Sequence, residues 1–246
     1  MIVGGLHVLQ TLQKSILLLF FAIVICCGIY PLALWVVGQT IFPFQANGSI
    51  VYDSHAKPIG SLLIAQPFTK DEYFQPRPSA ASYNAAASSS SALAASNYAL
   101  RSRVANSLGS IVKYESGPKA GQLVAPDIKN WFQQAGQPHL RAQSTPFDLW
   151  RQAHPDIALQ NVPGDMVTTS GSGLDPHITL QNALYQLDRV ASAWASQLKR
   201  DPNQVKNEIG KILDEKASAP LGGLAGEKII NVLEVNLELH KQYGAS

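Results

Sequence analysis

Residues 16–37 read ILLLFFAIVICCGIYPLALWVV, and this stretch decides how the rest of the chain is organised. It sits inside a longer gap, the 38 positions between Lys14 and Asp53, that carries no Asp, Glu, Lys or Arg. Its 22 residues, at about 1.5 Å of rise each, cover the ~30 Å hydrocarbon core of a bilayer. No face carries the polar stripe of a core helix. A cleaved signal peptide has a shorter apolar core followed by small residues, whereas this segment runs on through Tyr30, Pro31, Leu32 and Trp35. The reading is one retained transmembrane helix over 15–38, with Pro31 perturbing its outer half and Tyr30 and Trp35 suited to an interfacial belt. Lys14 is the one basic residue before the span and Lys57 the first after it. The positive-inside rule then favours a short cytoplasmic tail, 1–14, and an extracytoplasmic domain, 39–246.

All but one of the 19 Lys and Arg, and all 17 Asp and Glu, follow Gln39, so that domain is nearly neutral. Nothing draws it to nucleic acid. Both cysteines, Cys26 and Cys27, lie in the span and read as apolar filler. The domain therefore has no disulfide and no thiolate metal site. No zinc-ligand spacing, EF-hand pattern or P-loop is present.

Just past the span, IFPFQANGS (41–49) flanks a proline with Phe42 and Phe44 and turns at Asn47-Gly48. Short strands are expected at Ser49–Asp53 and Ile59–Gln66, a hairpin around 54–58. Pro76 and Pro78 hold Arg77 extended, and from spacing alone that arginine reads as solvated. Residues 80–96, rich in Ala and Ser, offer no large anchor and read as a mobile or partner-ordered loop. Leu100, Val104, Leu108 and Ile111 mark one helix face. The stretch 117–163 is long for a connector, with short helical runs at Asp127–Gln134 and Asp148–His154.

Met166–Thr169 reads as a buried strand entering SGSGLDPHIT (170–179), after which Thr179 caps an amphipathic helix with apolar positions 180, 183, 184, 187, 190, 191, 194, 195 and 198. Asp201-Pro202-Asn203-Gln204 has the form of a capping box. KIINVLEVNLEL (228–239) alternates like a half-buried strand. The fold class expected is α+β: one N-terminal transmembrane helix, then an extracytoplasmic domain of short strands and amphipathic helices.

The loop Ser170, Gly171, Ser172, Gly173 lacks the lysine of a P-loop, the third glycine of G-x-G-x-x-G and the spacing of G-x-S-x-G. Ser172, Asp175 and His177 are triad residue types, yet five residues of local chain seldom bring all three into hydrogen-bonding order. The loop reads as structural or interfacial, with Asp175 making an Asx-type turn. The rival readings are an anchored hydrolase using Ser172, and a stand-alone ligand-binding domain on a stalk.

Several segments in one order resemble the C subunit of the Kdp potassium-transporting P-type ATPase. They are Tyr30-Pro31-Leu32, Phe42-Pro43-x-Gln45-Ala46-Asn47-Gly48-Ser49, Gly60-Ser61-x-Leu63-Ile64-x-Gln66-x-Phe68 and Tyr73-Phe74-x-x-Arg77-Pro78-Ser79-Ala80. Tyr83-Asn84-Ala85-Ala86-Ala87-Ser88, Thr169 to His177, Gln186-x-x-Arg189-Val190-Ala191 and Asn231 to Leu237 continue the match. The chain departs from it at Ser89–Leu93, where the family has Gly-Gly-Ser-Asn-Leu, and reads as longer at about 109–165, an apparent insertion. The resemblance implies an accessory subunit of an ATP-driven potassium importer in the inner membrane, without turnover or cofactor of its own, the complex handling ATP and potassium. It implies as partners a channel-like potassium-binding subunit, a P-type ATP-hydrolysing subunit and a small membrane subunit, besides the lipid bilayer. It places the partner interface at Phe42, Phe44, Gln45, Asn47, Gln66, Tyr73, Phe74, Arg77, Pro78, Tyr83 and Asn84. A family-level role, raising the pump's ATP affinity as a catalytic chaperone, attaches to the nucleotide or structural loop Ser170–Gly173 with Asp175 and His177.

Overall fold

The computed structural model describes residues 2–134, 144–224 and 226–244, with side chains described from Gln10 onward except Leu221. The first residue of the expected tail and residues 135–143 of the expected insertion lie outside them. Contacts divide the chain into two units, Met1–Ser61 and Leu62–Ser246.

In the first unit α1 (Ile2–Ile23), a π-helical stretch (Val24–Ile29) and α2 (Tyr30–Ile41) run on from one to the next. From Gln10 to Ile41 this helix is apolar enough to span a bilayer, and the side chains from Gln10 to Val37 are exposed, Leu18 by 73%. An apolar sheath of that length is stable only in lipid. The proline expected to perturb the helix does so without breaking it. Pro31 removes an N–H and crowds the carbonyl four residues back, Cys27, and that carbonyl lies inside the π-helical stretch. Ile29 and Tyr30 keep helical angles, each with φ −64.

Phe42 ends α2 with φ −129, and Pro43 opens a four-residue helix, α3 (Pro43–Ala46), where the sequence suggested only a turn. Gly48 (φ 84) and Ser49 (φ 49) then redirect the chain. The expected hairpin forms, with both strands shorter than expected: β1 (Ile50–Tyr52) pairs antiparallel with β2 (Pro58–Ser61). Asp53 Oδ1 closes its turn by accepting from His55 N and Lys57 N, both at 2.8 Å.

The second unit is built on two hydrophobic clusters. The smaller gathers Val112, Tyr114, Val124, Ile128 and Trp150. Around it lie α4 (Tyr98–Ile111), α5 (Ala125–Gln134) and α6 (Pro146–Ala153). Thr145 and Asp148 cap α6 reciprocally, so it begins two residues earlier than the sequence indicated. The larger cluster is centred on α7 (Leu180–Leu198) and α8 (Pro202–Lys216). Thr179 caps α7 as expected, accepting from Asn182 N. Ala183, Leu187, Val190, Ala191, Trp194 and Ala195 are buried, whereas Leu184 is 48% exposed. Asp201 caps α8 from Gln204 N, but the Gln204 amide donates to Glu208 and does not reach back, leaving the capping box half made.

Two expected strands are corrected. Residues 166–169 form no strand; Gly164–Met166 is a 3₁₀ turn, and Thr168 Oγ1 bonds the Gly164 carbonyl, the local competition that keeps Thr out of regular structure. The strand lies further on, β3 (His177–Thr179), paired antiparallel with β4 (Ile229–Asn231). After β4 the chain becomes α9 (Val232–Tyr243), because Asn231 accepts from Glu234 N as an N-cap. Val232, Val235, Leu239 and Tyr243 recur at helical spacing and are all buried. The architecture is the expected α+β class, with two separate two-stranded sheets among the described residues.

Candidate functional site

After a turn at Asp71–Tyr73, closed by Tyr73 N donating to Lys70 O at 3.2 Å, Phe74 and Gln75 have no strand beside them among the described residues, so their backbone polar groups need other partners. Side chains supply them. Asn236 of α9 accepts from Phe74 N (2.8 Å) and donates to Phe74 O (2.9 Å), the pairing a neighbouring strand would give. Gln186 of α7 does the same for Gln75, accepting from its N at 2.8 Å and donating to its O at 3.0 Å, while also donating to Asn182 Oδ1 at 2.7 Å. Arg189, one helical turn on, donates to Asp71 O, Tyr73 O and Gln186 Oε1. The Phe74 ring, 1% exposed, therefore belongs to the core, and Tyr73 packs edge-on against Trp194.

Arg77, which spacing alone read as solvated, turns inward. Its Nη2 donates to Thr169 O at 3.2 Å, and its Nη1 lies 3.8 Å from Asp175 Oδ2. Tyr83 donates its hydroxyl to Arg77 O at 2.8 Å, and burial raises its pKa above the ordinary phenol value. Asn84 is exposed and accepts from Ala86 N in an Asx-type turn. Gln66 and Pro78 are half-buried.

The Ser170–His177 loop is clamped by the same region. Ser79 Oγ donates to Gly173 O, Ala65 N donates to Leu174 O, and Ser89 N and Ser88 Oγ donate to Ser172 O. The Ala/Ser-rich segment, expected to lack a large anchor, is thus held against this loop by the Ser89 backbone and the Ser88 hydroxyl. Gly173 has φ +70, and a Cβ there would stand 2.6 Å from Ser89 O. Gly171 is unlike it, with open space where its Cβ would be. Asp175 Oδ1 accepts from His177 N and meets His177 Nδ1, each at 3.0 Å. The His177 side-chain hydrogen bond is the main cause holding the Asp175 carboxyl below its ordinary pKa, with Arg77 adding to it. Ser172 Oγ accepts from Leu174 N at 3.1 Å, and no hydrogen bond joins it to His177 among the described residues. The three triad residue types are therefore present without the nucleophile–base contact that acyl transfer needs.

In the first unit, Asn47 Nδ2 donates to Pro43 O at 2.7 Å and pairs with the Gln39 amide, fixing α3. Gln45 supplies the carbonyl that accepts from Gly48 N. Phe42 and Phe44 remain 54% and 47% exposed.

Sequence reasoning missed the amide network of Asn182, Gln186 and Asn236. Its signal was polar residues within an apolar helix face: Asn182 and Gln186 stand at i and i+4 on the buried side of α7. Among the described residues no group of three or more His, Cys, Asp or Glu is placed to hold a metal ion.

The span and the domain that follows define a single-pass inner-membrane protein, its N-terminus cytoplasmic and its α+β domain extracytoplasmic. The model of the family KdpC, K+-transporting ATPase, c chain, matches residues 12–130 and 134–241, and the chain belongs to that family. It is similar to the potassium-transporting ATPase KdpC subunit of Caulobacter sp. (strain K31), 36% identical over 88% of this chain and 86% of that one. The corresponding subunits of Clostridium kluyveri (33% identical, 95% of this chain, 94% of that one) and Geotalea uraniireducens (31%, 95% and 98%) are matched over nearly their whole length. Members of the family are non-catalytic accessory subunits of the Kdp potassium-transporting ATPase.

Proposed function

We propose that this chain is the assembly subunit of an ATP-driven potassium uptake complex, joining a channel-like potassium-binding subunit, a P-type ATP-hydrolysing subunit and a small membrane subunit. The family match carries the proposal. The surface that meets the partners centres on Phe42 and Phe44, large apolar rings left in the open beside the span. The Tyr73–Asn84 segment contributes indirectly, since Arg77 and Tyr83 fix its course.

The family's effect on ATP affinity is read as a bias toward one global state of the pump, transmitted through the assembly, because the Ser170–His177 loop lies outside while ATP is cytoplasmic. Measuring ATP affinity of the complex with and without this chain tests that coupling; equal affinities remove it. Pull-down through a C-terminal tag tests the assembly role. Phe42→Ala with Phe44→Ala, and separately Arg77→Ala, should lower the yield of intact complex more than Lys206→Ala, and equal yields would overturn the site assignment.

A further inference from the structure

The two clusters of the second unit do not close completely on each other, and a cleft of about 700 Å³ lies at their junction. Its floor is α7 at Asn182, Tyr185 and Gln186. Phe68, Pro76, Pro78, Ile111, Leu123 and Met166 give it an apolar lining. That volume falls within the ~300–1,000 Å³ usual for small-molecule sites, which favour such junctions between packed units.

Among the described residues, three charged side chains line the cleft: Lys113, Asp188 and Arg189. Two are already matched. Asp188 pairs with Lys206, and Arg189 donates to two backbone carbonyls and Gln186 and lies 3.7 Å from the Asp71 carboxylate. Lys113 is different. Its Nζ donates to Tyr185 O at 3.0 Å and sits 4.6 Å from the Tyr185 ring centroid, but among the described residues it forms no ion pair. An ammonium has three N–H donors, and this contact uses one. Burial holds the lysine below its ordinary pKa, Asp188 opposes the shift, and Arg189 and Lys206 reinforce it. Asp188, the carboxylate that acts on it, is itself paired with Lys206, so this partly desolvated ammonium keeps donors that an anion would complete.

We propose that this cleft binds a small amphipathic monoanion, a carboxylate on an apolar body, with the carboxylate on Lys113 Nζ and the body against Phe68, Pro76, Leu123 and Met166. Among the described residues the cleft has one cation without an ion pair, which suits a single negative charge. Its walls carry prolines, a phenylalanine and aliphatic side chains, which suit a hydrocarbon or aromatic body better than a sugar or a polyphosphate. The site is separate from the Ser170–His177 loop and does not depend on the assembly role.

The test uses the full chain in an uncharged detergent and two probes, 4-phenylbutyrate and its neutral amide, compared by saturation-transfer NMR titration. The carboxylate should bind saturably below about 1 mM. The amide should bind at least about tenfold more weakly, for want of the charge-assisted hydrogen bond. Lys113→Met should abolish that preference and Lys113→Arg should keep it. Acid and amide binding equally, no saturation by about 10 mM, or an unchanged preference in Lys113→Met would each overturn the proposal. The comparison of the two probes on the unaltered chain stands even where a variant folds poorly.

Discussion

Two glycines in one loop, Gly171 and Gly173, should respond unequally to the same substitution. At Gly173 an alanine takes a left-handed backbone, φ +70, which costs about 1–2 kcal/mol. Its Cβ would also stand 2.6 Å from Ser89 O and 3.0 Å from Ala81 N, both backbone atoms. The loop and the serine-rich segment must then part, which weakens the bonds from Ser89 N and Ser88 Oγ to Ser172 O. Each is worth about 0.5–1.5 kcal/mol net, so the whole perturbation comes to about 2–5 kcal/mol. For a chain of this size each kcal/mol moves the midpoint by about 2–4 °C, so Gly173→Ala should lower Tm by at least about 4 °C. At Gly171 the Cβ meets nothing within 4 Å, and Gly171→Ala should leave Tm within about 2 °C. Thermal unfolding of the full chain in one detergent reads both. Equal shifts for the two variants would refute the reading of this loop as a packed clamp.

Asn236→Leu keeps the side chain's size but leaves Phe74 N–H and C=O without their partner, at about 1–3 kcal/mol each, offset by about 1.5–3 kcal/mol from burying the leucine. A net loss of about 2 kcal/mol should appear in denaturant titration, against no loss for the exposed Asn130→Leu. Tyr114 and Tyr243 both have pKa values raised to about 12, chiefly by burial and then by hydrogen bonds to Asp127 and Glu208. A folded-state pKa above the unfolded value means that their stabilising contribution is whole below pH ~10 and is lost as pH rises toward 12. Tyr114→Phe combined with Tyr243→Phe should therefore flatten the fall in Tm over that window, and an unchanged alkaline slope would count against it.

The membrane helix, the hairpin and the caps at Thr179 and Asp201 were legible because each rests on local chemistry: hydropathy, turn residues, a side-chain oxygen three residues before an amide. The end of the chain was not, because KIINVLEVNLEL satisfies two periods at once. Val235 and Leu239 fit both a strand face and a helix stripe, and the choice falls to Asn231, whose side chain caps a helix. That choice also explains Asn236. On a strand it would belong to the polar outer face; on a helix it turns inward, 2% exposed, and binds Phe74. Gln186 repeats the device from α7, so a segment with too few strand neighbours is held by amides delivered from two helices. Such a network pairs residues 111 or 162 positions apart in sequence, and no local pattern marks which buried amide serves which carbonyl. The course of Tyr73–Tyr83, and with it the position of Arg77, thus follows from the tertiary packing of α7 and α9. A substitution at Gln186 or Asn236 should accordingly disturb complex assembly much as one at Arg77 does, although neither amide is placed to touch a partner.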